Sequence, residues 1–253
     1  MGLILLFCFA GCQDELMTFE NTPKGNFDAL WQIMDRNYCF FEYKNVDWDS
    51  VYLKYSPRIT ENMSSESLFK LMGMMLEELK DGHVNLIASF DITRYWKWEE
   101  DYPANFDLTI QKNYLGTDYS IAGGMIYKIF EDNIGYVYYG SFSDDVGEGN
   151  LSQILSRMAL CKGLIIDVRD NGGGSLTNVT RIASRFFDKR TLIGYISHKT
   201  GTGHNDFSPL YPQYIDSSPY VRYQKPVIVL TNRACYSATN EFVSIMKYAP
   251  QVL

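Results

Sequence analysis

Lys225-Pro-Val-Ile-Val-Leu-Thr-Asn-Arg-Ala-Cys-Tyr-Ser-Ala-Thr-Asn-Glu-Phe242 reads as a strand, a tight turn and the start of a helix. Val227 to Leu230 is a short, wholly apolar and largely β-branched run, the pattern of a strand buried on both faces. Pro226 stands at its entrance, where a missing N–H costs least. Thr231-Asn232-Arg233 supplies the turn, and Phe242, Ile245 and Met246 share one face of a helix running from Ser237 to Tyr248. Ser237 thus falls among unpaired backbone N–H groups at the positive end of a helix dipole. That setting suits a nucleophile whose attack creates an oxyanion, and equally an ordinary N-cap. Taken alone, the stretch favours the cap.

Upstream, strands and helices alternate. Ile134 to Tyr139 and Leu164 to Val168 read as strands, Leu151 to Leu160 and Ser175 to Phe187 as helices, and Leu192 to Ser197 as a further strand. This grammar implies a layered α/β core with parallel pairing. Before it, the spacing predicts three helices: one over Asn26 to Tyr38, one opened by Asp47-Trp48-Asp49 and ended near Pro57, and one striped by Leu68, Leu71, Met72, Met75, Leu76 and Leu79 behind Ser64 and Ser65. Gly82 suits the left-handed position after the last of these. His83 follows, with Val84, Leu86 and Ala88 alternating as a strand. Phe90 to Phe130 is aromatic and turn-rich, and alternation around Phe106-Asp-Leu-Thr-Ile and Tyr119-Ser-Ile suggests a small β region.

A chain of 253 residues can bury a full core. Its net charge of −7 and the lack of a Lys/Arg cluster argue against a nucleic-acid partner. Met1 to Gly11 is almost entirely apolar and far too short to span a bilayer. Phe9-Ala10-Gly11-Cys12 resembles a lipobox at the end of a bacterial secretion signal, with Cys12 the lipidated residue and Gln13-Asp14-Glu15 the start of a tether. This implies a lipid-anchored protein of the bacterial cell envelope. Cys39, Cys161 and Cys235 are too irregularly spaced for a disulfide framework or a zinc site. His198 and His204 flank a glycine-containing loop but lack a third ligand, so no metal is expected.

Three pieces carry chemistry: Lys80-Asp-Gly-His83, Asp167-Val-Arg-Asp-Asn-Gly-Gly-Gly174, and Asn232-Arg-Ala-Cys-Tyr-Ser237-Ala238. The glycine run leaves backbone N–H groups bare between a buried strand and a helix. It matches neither a dinucleotide fingerprint nor a P-loop. Together, and in this order, the pieces resemble the tail-specific, or C-terminal-processing, serine peptidases and their tricorn-core relatives. The matching residues are Leu79, Asp81 and His83, then Asp167, Arg169, Asn171, Gly173 and Gly174, then Thr231, Asn232, Ser237 and Ala238.

The resemblance implies an α/β fold with a crotonase- or ClpP-like spiral ββα core. An N-terminal helical subdomain would span residues 13–89 after a signal segment at 1–12. The small β region would span 90–130, too short for a PDZ domain, with the peptidase core at 131–253. It implies peptide-bond hydrolysis without a cofactor, acting on a peptide or protein. Ser237 would be the nucleophile, and the N–H groups of Ala238 and of Gly173 or Gly174 the oxyanion hole. Asp167, Arg169 and Asn171 would brace the site, the first two as an ion pair. His83 is the favoured base; the alternative is a lysine beyond Leu253. No acid to orient His83 stands out in the sequence. Asn240 occupies the place where the family commonly has Glu. The chain ends where relatives continue, and this implies an incomplete catalytic set with little activity. The competing reading is an inactive ligand- or peptide-binding protein on the same fold.

Overall fold

The computed structural model describes residues 19–253, so the expected signal segment and Cys12 lie outside it. The described residues form two compact units, one running up to residue 98 and including 199–208, the other of residues 99–198 with 209–253.

The first unit is helical. Helix α1 (Pro23–Asn37) starts with Thr22 as N-cap and Pro at the first turn, where the missing N–H is harmless. A short α2 (Phe41–Lys44), which the sequence reading did not include, turns the chain into α3 (Trp48–Tyr55), capped by Asp47. Helix α4 (Ser65–Glu77) is capped by Ser64 as its serines suggest. Phe27, Trp48, Leu68, Leu71, Met75 and Leu79 bury the facing stripes in one cluster. Trp31 and Trp48 each donate their indole N–H to the other's carbonyl, at 3.0 and 3.1 Å. A two-stranded ribbon follows, β1 (Asn85–Ile87) against β2 (Ile92–Arg94).

The exit from α4 differs from expectation. The left-handed residue is Lys80 (φ 47°), and Gly82 keeps an ordinary φ. Lys44 Nζ donates to the Lys80 carbonyl at 2.9 Å, and the Asp81 carboxylate accepts the His83 N–H at 3.0 Å. The turn is therefore built by side chains and has no need of glycine.

In the second unit, Phe106 to Ile110 is not a strand. Asp107 Oδ1 accepts the N–H groups of Thr109 and Ile110 and caps helix α5 (Leu108–Leu115). A five-stranded sheet follows, in the order β3 (Ser120–Ala122), β4 (Met125–Ile129), β5 (Ile134–Tyr139), β6 (Gly163–Asp167) and β9 (Val227–Leu230). Pairing is antiparallel through β3–β4–β5 and parallel through β5–β6–β9. The sheet is thus mixed, because the tight Gly123-Gly124 and Asn133 turns make hairpins before the helical crossovers begin.

Helices α6 (Glu148–Met158), α7 (Leu176–Ala183) and α8 (Ala238–Met246) share one core with Val137, Tyr139, Leu164, Ile166 and Val227. The opposite face is only partly covered: Ile228 is 44% exposed, so β9 is not buried on both faces. Beyond β9, Val252 pairs with Val227. A separate ribbon joins β7 (Thr191–Ile196) to β8 (Tyr211–Ile215); the sequence reading assigns no strand at β8.

Candidate active site

Strands β6 and β9 lie side by side with Asp167 opposite Leu230, so both of their following loops emerge at the same sheet end. This is the usual place for a site in an open α/β sheet. The two loops are fastened to each other. The Asp170 N–H donates to Asn232 Oδ1 at 3.0 Å, while Asn232 Nδ2 donates to the Asp170 carboxylate and, at 2.8 Å, to the Ala104 carbonyl.

Asp167 is completely buried and forms the expected ion pair. Arg169 reaches it with Nε at 2.9 Å and Nη2 at 2.6 Å, and the Tyr136 hydroxyl donates to it at 2.8 Å. Hydrogen bonding to Asp167 raises the Arg169 pKa further. Burial, together with the Asp167 charge, pushes the Tyr136 hydroxyl far above its ordinary range, so it stays a donor. With these partners the Asp167 carboxylate is held in place.

Ser237 occupies the N-cap position of α8 but does not cap it: no side-chain bond to the helix forms, and its backbone sits at φ 51°, ψ −120°. The residue is exposed. A serine at positive φ is strained, and such strain collects at functional sites. The ordinary-cap reading of this residue is therefore replaced by a strained, exposed elbow. At the start of α8, the Ala238 N–H has no acceptor among the described residues.

The glycine loop is pressed onto this elbow. Gly173 has φ 100°, and a Cβ there would stand 2.7 Å from the Tyr236 carbonyl, 2.8 Å from Ser237 Cβ and 3.0 Å from the Ala238 nitrogen. Only glycine allows both the conformation and the approach. The Gly173 N–H is already engaged, donating to Asn171 Oδ1 at 2.9 Å. Gly174 stands beside Phe142 in a parallel bridge formed by Phe142 N–H to Gly173 O and Ser175 N–H to Phe142 O. Its own N–H takes no part in that bridge and has no acceptor among the described residues.

Cys235, two residues before Ser237, is buried and donates to the Val168 carbonyl at 3.0 Å. Burial pushes its thiol pKa up, which suppresses the thiolate a nucleophile would need.

In the helical unit, the His83 side chain is 58% exposed, and its Nδ1 lies 3.6 Å from Asp81 Oδ1. The other oxygen of Asp81 accepts the Tyr38 hydroxyl at 2.7 Å. Burial opposes ionisation of Asp81, but the Tyr38 hydroxyl and the His83 amide outweigh it and leave the pKa below the ordinary carboxylate range. An anionic neighbour for His83 is thus present two residues away. Spacing alone does not reveal it, because it depends on the side-chain-built turn. His204 pairs instead with Asp35 at 2.7 Å and lies against the Phe41 ring. Among the described residues, no group of three His, Cys, Asp or Glu side chains converges on a metal position.

On the open face of the sheet, α5 covers a cavity of about 660 Å³ lined by Phe106, Ile110, Tyr114, Phe130, Ile165 and Leu230, among others.

The model of peptidase family S41 matches residues 133–252, and that of the tricorn protease C1 domain matches residues 19–77. A candidate peptidase from Parabacteroides merdae ATCC 43184 is 58% identical, with a TM-score of 0.89 over 92% of this chain and 74% of its own. Mature CPAF superposes with a TM-score of 0.65 at 12% identity, over 92% of this chain and 82% of its own. A lipoprotein from Streptococcus agalactiae gives 0.52 at 13% identity, over 94% and 77%. At such identities these last two show a shared fold alone.

Proposed function

The chain belongs to peptidase family S41, and from that premise we propose that it hydrolyses peptide bonds through an acyl-enzyme on Ser237. The observation that carries this reading is the strained elbow itself. Ser237 holds backbone strain and forgoes a capping bond, in an exposed position beside a glycine loop. In the proposed reaction Ser237 Oγ attacks the carbonyl carbon of a peptide bond. The base removes the hydroxyl proton and passes it to the leaving amine, and water then releases the acyl group. The Ala238 N–H and an N–H of the glycine loop would face the oxyanion. Because the Gly173 N–H is held by Asn171, Gly174 is the better loop donor. Family S41 implies a peptide or protein substrate.

His83 is proposed as the base on its sequence element and on its carboxylate neighbour Asp81. The crotonase-like spiral, endopeptidase action and the division at 13–89, 90–130 and 131–253 belong to the same proposal. So does anchoring in the cell envelope through a lipidated Cys12, for which the support is Phe9-Ala10-Gly11-Cys12. Metabolic labelling with a palmitate analogue, lost in Cys12→Ala, tests the anchor. Hydrolysis of a peptide library by the purified protein, compared with Ser237→Ala, tests the reaction. Activity abolished in the variant supports Ser237, and activity retained rules it out.

A second reading has one observation in its favour. The apolar cavity beside α5 could hold a ligand, as expected of a binding protein on this fold. Apolar-ligand binding without hydrolysis would favour it.

A further inference from the structure

Thr239 lies two residues past Ser237, is completely buried, and is polar. Its Oγ1 donates to Asn171 Oδ1 at 2.7 Å. The same oxygen accepts the Gly173 N–H at 2.9 Å, while Asn171 Nδ2 donates to the Tyr139 carbonyl at 2.8 Å. The Asn171 carbonyl in turn accepts the Tyr236 N–H at 3.1 Å. One buried asparagine therefore joins the end of β5, the glycine loop and the turn entering α8. Its orientation follows from its partners: two donors face one end of the carboxamide and a carbonyl faces the other, so Oδ1 belongs with Thr239 and Gly173.

We propose that Thr239 is a positioning residue of the catalytic unit, its hydroxyl holding Asn171 so that the glycine loop keeps its fixed approach to Ser237 and Ala238. This rests on the reading of Ser237 as nucleophile. Thr239 touches no reacting atom; it acts through Asn171 and Gly173. The loop has little slack, since even a Cβ at Gly173 would collide with the elbow. The peptide plane between Gly173 and Gly174 sets the direction of the Gly174 N–H, so the point that fixes Gly173 also aims the proposed oxyanion donor. A misplacement of about 1 Å in such a donor can cost on the order of 10²-fold in rate. A threonine at this place in the helix would otherwise be read as a small core residue, since its side-chain partner lies 68 residues away in sequence.

Thr239→Val preserves the shape and removes the hydroxyl, whereas Thr239→Ser preserves the hydroxyl. For peptide hydrolysis, Thr239→Val should lower kcat roughly 10- to 100-fold with KM changed less than about twofold, and Thr239→Ser should stay within about threefold of the parent. Amide hydrogen exchange gives a readout independent of catalysis: at Gly173 it should quicken by about tenfold or more in Thr239→Val and stay slow in Thr239→Ser. Parent-like kcat and exchange in Thr239→Val would overturn the proposal, as would equal damage in Thr239→Ser. If Thr239→Val does not fold, Thr239→Ala against Thr239→Ser makes the same comparison. Ser237→Ala, assayed alongside, separates the two ideas. If it is inactive while Thr239→Val is unaffected, only the role of Thr239 falls. If it stays active, the nucleophile assignment falls, and with it the proposal.

Discussion

At the scale of single residues, the site is built from conformations that ordinary side chains avoid. Ser237 and Gly173 both sit at positive φ, close together, and Gly173 has no room for a side chain. Gly173→Ala should therefore move the loop as well as strain it. We expect kcat to fall roughly 10²–10³-fold, as when an oxyanion donor is lost, with KM within about threefold. A change in KM alone would make the loop a substrate cradle. Asp81 permits a pH prediction. Its native pKa is lowered, so its contribution to stability is fully present above the unfolded-state value, near 3.9, and is lost as pH falls through the native value. Asp81→Asn should therefore flatten the acid limb of a melting-temperature profile below about pH 4. An unchanged limb would show that Asp81 is not held by Tyr38 and His83 in solution.

At the scale of elements, legibility followed the strength of local signals. Helix α4 was readable because its stripe from Leu68 to Leu79 and its cap at Ser64 agree. Helix α5 was not, because Phe106-Asp-Leu-Thr-Ile alternates like a strand while the deciding feature is the Asp107 cap. Strand β8 was missed because Tyr211 to Tyr214 are all exposed and show no inside-outside alternation. Arg185 was also invisible in sequence. It is fully buried in the 3-10 turn that follows α7, donating to Glu148, to Ser152 Oγ at 3.1 Å and to the Val221 carbonyl at 2.7 Å. Glu148 remains 40% exposed, which limits the value of the pair. Glu148→Ala should destabilise by about 1.5–3 kcal/mol in chemical denaturation, as expected for a charged hydrogen bond to a buried partner. A loss below about 0.5 kcal/mol would mean that solvent replaces the carboxylate.

At the scale of the whole molecule, two of the three sequence pieces come together. The Asp167–Gly174 loop and the Asn232–Ala238 turn are legible as motifs because each is contiguous, and parallel pairing of β6 with β9 brings them together. The ties between them were not legible: Asn171 to Thr239 and Asp170 to Asn232 join residues more than sixty positions apart, which no local pattern encodes. The mixed sheet was likewise hidden, since hairpin and crossover strands look alike in composition. What unites these features is the claim that Ser237 is a nucleophile. Treatment with a fluorophosphonate probe followed by peptide mass mapping tests that claim most directly. One adduct is expected, on Ser237 and absent from Ser237→Ala, whereas no adduct on the folded parent protein, or an equal adduct on the variant, would contradict the assignment.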